Sequence, residues 1–219
     1  MKKILAIFWT GLLILLTFSM PTFAEEAVET KIVPFETMIS VYFENPNETE
    51  VLNKDGVNIT EEFFAKNSSA YESKNYDVIR EFLNTNVGRL KCQMESQEQN
   101  LERMDATKTV RDYEVIPIES QGHKGFLKMD VGGTFTYNRN TGEISSAYNP
   151  RLISVEVDRD SFYDWTFKHV NVTTDSWVSG DKFTAYFKAS LQTLGYYQYS
   201  FTEFDFGYQT CTISSQAGA

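Results

Sequence analysis

A two-residue alternation of apolar and polar side chains in the second half of this chain constrains its fold more than any other feature. In "DKFTAYFKASL" the alternation predicts one inward-facing set, which comprises Phe183, Ala185, Phe187, Ala189 and Leu191. Alternation of this kind marks antiparallel strands with one buried face. Several short strands of this type are typical of a sandwich or a barrel. We predict a mainly β fold, an antiparallel β-sandwich with a small helical N-terminal segment.

Turn-forming residues divide this β region into strands. "SQGHKG" and "NRNTG" have the composition of hairpin turns, and Pro150 is expected to break the connection that follows. The pair Gly132-Gly133 indicates a bulge or a close backbone approach. The segments "YYQYSFTEF" and "FGYQTCTIS" are predicted to be two more strands.

The first half of the chain has a mixed pattern. The β-branched and aromatic residues of "ETMISVYFENPN" predict a strand, and "NYDVIREFLNTN" has apolar residues at helical spacing. Thr60 is predicted to cap a helix of about two turns, "EEFFAKN". Beyond Gly88 the pattern fits either a solvated helix or a loop. Residues 25–106 are thus expected to form a strand plus a helical segment, and residues 107–219 the sandwich, unless 25–219 is one domain.

The segment "NKDGVNITEEFF" has the appearance of a calcium-binding loop but lacks its first ligand. With Gly56 at the sixth position of such a loop, the first position is Val51, which has no side-chain oxygen. A β-turn ending at Gly56, followed by the helix start at Thr60, accounts for every residue of the segment. We therefore predict a turn rather than a metal site.

The N-terminal residues 1–24 have the pattern of a secretory signal peptide. Lys2 and Lys3 precede an apolar run from Ile4 to Phe18, and "TFA" ends at Ala24. We predict cleavage between Ala24 and Glu25 and a secreted, extracellular protein from a Gram-positive bacterium. The alternative is an uncleaved membrane anchor, which needs about 20 apolar residues.

The segment "GGTFTYNRNTGEISSAYNP", the alternating strand after it and the Tyr/Phe-rich end carry a resemblance. Together they resemble small uncharacterised secreted proteins of Gram-positive bacteria, which share a "GTYTYN…TG…" hairpin and a strand led by proline. The resemblance covers about Val131 to Ser214 and excludes Asn45 to Met104. It implies a secreted β-sandwich and carries no known activity.

The charge balance limits the partners. The chain has 30 acidic and 20 basic residues and a net charge of −10, which loss of Lys2 and Lys3 makes more negative. Such a surface repels the phosphates of nucleic acids and anionic lipids. We expect an extracellular glycan or protein as partner, no nucleic acid, and no membrane after signal cleavage.

Only two cysteines are present, Cys92 and Cys211. In an oxidising compartment such a pair favours a disulfide, which would stabilise the fold by up to ~4–5 kcal/mol. The alternative is two separate buried thiols. We predict the disulfide between Cys92 and Cys211.

The sequence contains few residues that suggest catalysis or metal binding. Glu203 and Asp205 share one face of a predicted strand about 7 Å apart, a spacing that suits paired acid/base carboxylates. The acidic group available for calcium is Asp158, Asp160 and Asp164. Neither His123 nor His169 lies in a recognisable catalytic or zinc motif, and without a glycine-rich phosphate loop we expect no cofactor.

Tyrosines are crowded near the C-terminus. The predicted ligand-binding set is Tyr196, Tyr197, Tyr199 and Tyr208, whose hydroxyls cannot all be satisfied in a core. Tyrosine also has a high β-propensity, so ordinary strand composition is the alternative. We predict a secreted, non-catalytic binding or interaction module with a tyrosine-rich β surface. The alternatives are a secreted inhibitor or immunity-type protein against a cationic peptide or enzyme, and a carboxylate-dependent extracellular hydrolase.

Overall fold

The computed structural model describes residues 30–94, 97–100, 105–200 and 202–217. These residues form a mainly β structure with two sheets and three α-helices. The predicted signal peptide and its cleavage site lie outside the described residues. Within the described ranges, none of the helices combines the length and the apolar character that crossing a bilayer requires.

The helices precede most of the strands in the chain. They are α1 (Phe35–Glu44), α2 (Thr60–Glu72) and α3 (Tyr76–Asn86), with a 3-10 turn at Pro46–Glu48. The larger sheet contains β1 (Thr30–Val33), β2 (Thr49–Asn53), β3 (Val87–Gln93), β4 (Gln97–Asn100), β5 (Asp105–Ser120), β6 (His123–Asn138) and β7 (Ile144–Asp158). The smaller sheet contains β8 (Trp165–Val178), β9 (Thr184–Tyr197) and β10 (Thr202–Gln216).

The larger sheet draws strands from both halves of the chain. Its order is β1-β7-β6-β5-β3-β2, and β4 pairs with β5. All of these pairings are antiparallel except that of β1 with β7. The smaller sheet is antiparallel in the order β10-β9-β8. The N-terminal and C-terminal segments are thus hydrogen-bonded into one sheet.

One buried cluster contains side chains from both sheets. Leu127, Met129 and Phe135 of β6 belong to it, as do Phe187 and Leu191 of β9. The predicted inward set of β9 is buried from Ala185 to Leu191, but Phe183 is 47% exposed because it precedes the strand. A Cβ on Gly133 would overlap the Phe187 ring, so the backbone approaches that ring closely, as predicted.

A second buried cluster lies on the opposite face of the larger sheet. Phe126 and Leu127 are adjacent in β6 and therefore point to opposite faces. Phe126 packs in the cluster that contains the helical residues, whereas Leu127 packs in the cluster shared by the two sheets. The helices thus cover one face of the larger sheet.

The predicted strand "ETMISVYFENPN" is wrong, because most of it forms helix α1. Its buried residues are Phe35, Met38, Ile39 and Tyr42, the i, i+3, i+4, i+7 spacing of one helix face. Packing of that face on the sheet outweighs the weak strand preference of its β-branched and aromatic residues.

The predicted turn before α2 is confirmed. The Asn53 side-chain oxygen accepts the N–H groups of Asp55 and Val57 at 2.9 Å, and Gly56 has φ +79°. Helix α2 begins at Thr60 but is 13 residues long, more than the predicted two turns. Thr60 does not cap it, since its hydroxyl accepts the Val51 N–H.

The segment after Gly88 forms strands rather than the predicted helix or loop. Residues Val87–Gln93 are β3, which pairs with both β2 and β5. Leu90 and Cys92 are buried and Lys91 alternates with them, a two-residue period that the polar neighbours obscured. The predicted helical positions Leu101 and Met104 lie outside the described residues.

The prediction that Pro150 breaks the chain is wrong. Strand β7 continues through it, and its register with β6 shifts between Gly132 and Thr134, opposite Asn149-Pro150. Asn149 has φ +52° at this irregularity. Because Pro150 has no N–H to donate to a neighbouring strand, it is tolerated at such a break in the regular pairing. The prediction of one strand at "YYQYSFTEF" is wrong, because Tyr197 ends β9 and Thr202 begins β10. Strand β10 continues through "FGYQTCTIS" with a register shift between Asp205 and Tyr208.

The predicted disulfide is wrong, because Cys92 points to the helix-covered face of the larger sheet, whereas Cys211 of the smaller sheet packs on its other face. Cys92 belongs to the cluster that contains the helices, and Cys211 belongs to the cluster shared by the two sheets. Both are buried and free. The sheet between them prevents the close approach that a disulfide requires.

Candidate functional site

The outer face of the three-stranded sheet is set by the alternation of β9. Because Ala185, Phe187, Ala189 and Leu191 are buried, the residues between them point away from the core. The outward side chains of β9 are Thr184, Tyr186, Lys188, Ser190, Gln192, Leu194 and Tyr196. Apart from Lys188 and Leu194, they carry hydroxyl, amide or aromatic groups.

Two irregularities in the neighbouring strands meet at Gln192. The register of β8 against β9 shifts between Val170 and Thr173, and that of β10 shifts between Asp205 and Tyr208. Asn171 has φ +54° in the first bulge, and Gly207 has φ +78° in the second. Bulges re-aim side chains and are frequent beside functional sites.

The bulges allow four side chains to form a hydrogen-bonded group, which we call the amide–tyrosine array: Asn171, Gln192, Asp205 and Tyr208. The Asn171 amide donates to Gln192 Oε1 at 2.9 Å and to the Tyr208 hydroxyl at 3.1 Å. Gln192 Nε2 donates to Asp205 Oδ2 at 2.8 Å. The array spans all three strands, and its Tyr208 ring is 67% exposed.

The four predicted tyrosines do not form one patch. Tyr196 lies on the outer face, about 13 Å along β9 from Gln192, and its hydroxyl donates to Glu203 at 2.6 Å. That bond raises the pKa of Tyr196. Tyr197 packs against Trp165 with ring centroids 5.6 Å apart, and the 73% exposed Tyr199 contacts it from the following turn. Only Tyr208 belongs to the array.

An exposed aromatic pair that the sequence analysis missed lies at the other end of the same face. The rings of Trp177 and Tyr186 stack with centroids 5.1 Å apart and an interplanar angle of 9°. Trp177 is 41% exposed. Its outward position in β8 follows from pairing with Tyr186, which sequence periodicity alone did not show.

The candidate acid/base residues Glu203 and Asp205 lie on this exposed face. Glu203 accepts from Tyr196, and Asp205 accepts from Gln192 and from the Gly207 N–H at 2.7 Å. Both carboxylates are therefore engaged in holding neighbouring groups of the outer face.

Two of the three candidate calcium residues bind an arginine instead. Asp158 is fully buried and accepts from Arg80 and Ser161. Asp160 lies 3.6 Å from the Arg80 guanidinium and accepts the Phe35 N–H. Asp164 lies apart from this pair, in the turn before β8. Among the described residues no group of three or more ligating side chains could hold a metal ion.

Both histidines have packing roles. The His169 ring is half-buried with Nδ1 3.2 Å from the Thr193 hydroxyl, and desolvation lowers its pKa to about 4. The His123 ring contacts Trp165 and Phe204 with centroids 4.9 and 5.1 Å away.

A polar cleft on the larger sheet contains a group that the sequence analysis also missed. Asp112 and Glu114 occupy the inward parity of β5, with the buried Val110 and Ile118. Glu114 Oε1 is paired with Arg89 at 2.6 Å, whereas Glu114 Oε2 and Asp112 Oδ1 are buried with no hydrogen-bond partner in the part of the chain that the structure describes. Burial raises the pKa of Asp112 to about 7, although the Met94 amide and Lys91 oppose that effect. The sequence pattern that could have identified this group is the pair of acidic residues at inward positions of an alternating strand.

We expect this carboxyl to make stability depend on pH. Its folded pKa exceeds its ordinary value of 3.8, so the folded state binds the proton more tightly than the unfolded state. The free energy of unfolding should fall as pH rises from about 4 to about 7, by on the order of 4 kcal/mol from this group. Urea unfolding at several pH values should show a shallower decline in Asp112→Asn. An equal decline in both proteins would contradict this assignment.

Comparison with protein-family models, curated proteins and solved structures found no match to this chain.

Proposed function

We propose that the protein is a secreted, non-catalytic binding module that holds a polysaccharide on the outer face of its three-stranded sheet. In this proposal the two sheets pack as an antiparallel sandwich, which presents that face to solvent. The observation that carries the proposal is the amide–tyrosine array, because bulges in both neighbouring strands converge on one residue of β9.

The chemistry of the array supports a glycan as ligand. The exposed Tyr208 ring offers an apolar surface for stacking, and the Asn171, Gln192 and Asp205 groups beside it offer donors and acceptors for hydroxyls. Their hydrogen bonds fix these groups before binding, which lowers the entropic cost of association. The core of a protein interface is usually apolar, whereas most outward side chains of β9 are polar or aromatic.

The test is co-sedimentation of the purified protein, without the predicted signal peptide, with insoluble cell walls and other insoluble glycans. We expect retention at physiological salt, and about tenfold weaker binding for Tyr208→Ala because the ring is a central contact. Asn171→Ala should weaken binding in the same direction. A depletion isotherm against increasing glycan measures each affinity.

The matched control is Tyr163→Ala. Tyr163 is 79% exposed but lies in the turn between β7 and β8, away from the array. It should bind like the parent protein. Equal losses for Tyr163→Ala and Tyr208→Ala, or no retention on any glycan, would count against this function.

A further inference from the structure

A cleft forms where β2, β3 and β5 of the larger sheet meet β10 of the smaller one. Its volume is about 310 Å³, and its lining consists of Asn47, Glu48, Thr49, Glu50, Lys91, Gln93, Asp112 and Ser214. It is separate from the amide–tyrosine array, none of whose residues lines it. A ligand bound in the cleft would therefore not contact the proposed glycan-binding residues.

The charges that line the cleft are mostly negative. Glu48, Glu50 and Asp112 contribute three carboxylates against the ammonium of Lys91. Lys91 donates to the Thr212 carbonyl at 3.3 Å, so its ammonium is directed toward β10. The lining thus has an excess of acceptors and negative charge.

Asp112 distinguishes this cleft from an ordinary acidic surface. Its side chain is largely enclosed, with the residue 8% exposed, and among the described residues its Oδ1 has no hydrogen-bond partner. A buried carboxylate oxygen without a partner is costly. Two residues further along β5, Glu114 Oε2 is also without a hydrogen-bond partner among the described residues, but Glu114 has Arg89 as its counterion and does not line the cleft. Asp112 instead lines a space large enough for a cationic group.

A neighbouring recess extends the negative region. It shares Asn47 and Thr49 with the cleft and adds Glu61 and Glu62 from the first turn of α2, of which Glu62 already pairs with Lys66. A ligand with positive charges along its length would therefore meet carboxylates in both places. A metal ion fits less well, because no three ligating side chains of the described residues converge.

We propose that this cleft binds the side-chain ammonium of a lysine in a cationic peptide, with Asp112 as the buried acceptor. An ammonium group has three donors and no acceptor, which matches a lining of carboxylate, amide and hydroxyl oxygens. A charge-assisted hydrogen bond to Asp112 satisfies the oxygen that is otherwise unpaired. The flanking residues of the peptide lie toward Glu61 and Glu62.

The probe is an N-acetylated, C-amidated tetralysine peptide, titrated calorimetrically into the purified protein at low and physiological salt. The parent protein should bind it, and Asp112→Asn should bind at least about tenfold more weakly. The matched control is Glu119→Gln, which removes an equally charged but exposed carboxylate from the end of the same strand. It should change the affinity less than about twofold.

Two further probes identify the recognised group. The same peptide with every lysine acetylated should not bind, and n-butylammonium should compete with tetralysine at high concentration. Butylammonium binding without peptide binding would overturn the peptide as occupant. Equal weakening by Asp112→Asn and Glu119→Gln, or no binding of either tetralysine or n-butylammonium, would overturn the site.

The pH dependence separates recognition from general charge attraction. Lys91 of β3, Glu48 of the 3-10 turn and Glu50 of β2 line the cleft with Asp112. The nearby charge of Asp130 in β6 raises the pKa of Asp112. Because only its ionised form attracts an ammonium, binding should be at least about tenfold weaker at pH 5.5 than at pH 8. Asp112→Asn should lose most of this dependence, and an unchanged dependence would contradict the proposal. Circular dichroism of each variant verifies folding.

Discussion

Phe187→Ala is expected to lower the free energy of unfolding by about 3–5 kcal/mol. The ring is fully buried in the cluster shared by the two sheets and lies directly against Gly133. Removing the ring leaves a cavity between the sheets, because the other side chains of the cluster prevent the sheets from closing over it. Urea unfolding followed by tryptophan fluorescence measures the change.

The same contact predicts a change of sign in a double-mutant cycle. Gly133→Ala alone should destabilise by about 1–3 kcal/mol, because its methyl overlaps the Phe187 ring. In the Phe187→Ala protein the same methyl enters vacated space and should cost little or stabilise. Gly180→Ala is the control, since a Cβ there meets no atom within 4 Å. Additive costs for the pair would show that the ring and Gly133 do not meet.

Arg80→Ala should destabilise the protein by about 3–5 kcal/mol. Arg80 of α3 binds the fully buried Asp158 at the end of β7, and its guanidinium lies 4.2 Å from the centre of the Phe35 ring. Removing the arginine leaves a buried carboxylate without its counterion and loosens α1 and α3 from the sheet. Chemical unfolding at pH 7 measures the effect.

Two variants test this explanation. Adding Asp158→Asn to Arg80→Ala should recover part of the loss, since it removes the uncompensated charge. Lys66→Ala breaks an exposed pair with Glu62 on α2 and should cost less than about 0.5 kcal/mol. An Arg80→Ala cost as small as that of Lys66→Ala would contradict a structural role for the buried pair.

The strands of the C-terminal half were predictable because their alternation is local. The inward set from Ala185 to Leu191 is buried as expected, and the close approach at Gly133 is also confirmed. The outward positions of Tyr196 and Gln192 follow from the same parity. Each of these conclusions needs only neighbouring residues in the chain.

The candidate sites needed contacts between distant residues. The amide–tyrosine array depends on two bulges that bring Asn171 and Tyr208 to the same residue of β9. Asp112 belongs to a cleft only because β10 lies beside β5 and β3. The candidate calcium residues Asp158 and Asp160 bind Arg80, which lies 78 residues before Asp158 in the chain. No local pattern contains these pairings.

The sequence by itself determined the mainly β character, several of the turns in the C-terminal half, and the side of β9 that faces inward. The tertiary structure decided that α1 is a helix, that β7 passes through Pro150, and that Cys92 and Cys211 are separated by a sheet. The physical reason is the range of the forces involved. Alternation and turn preference act between neighbouring residues, whereas burial of a helix face, strand register and the pairing of buried charges depend on which distant segments pack together.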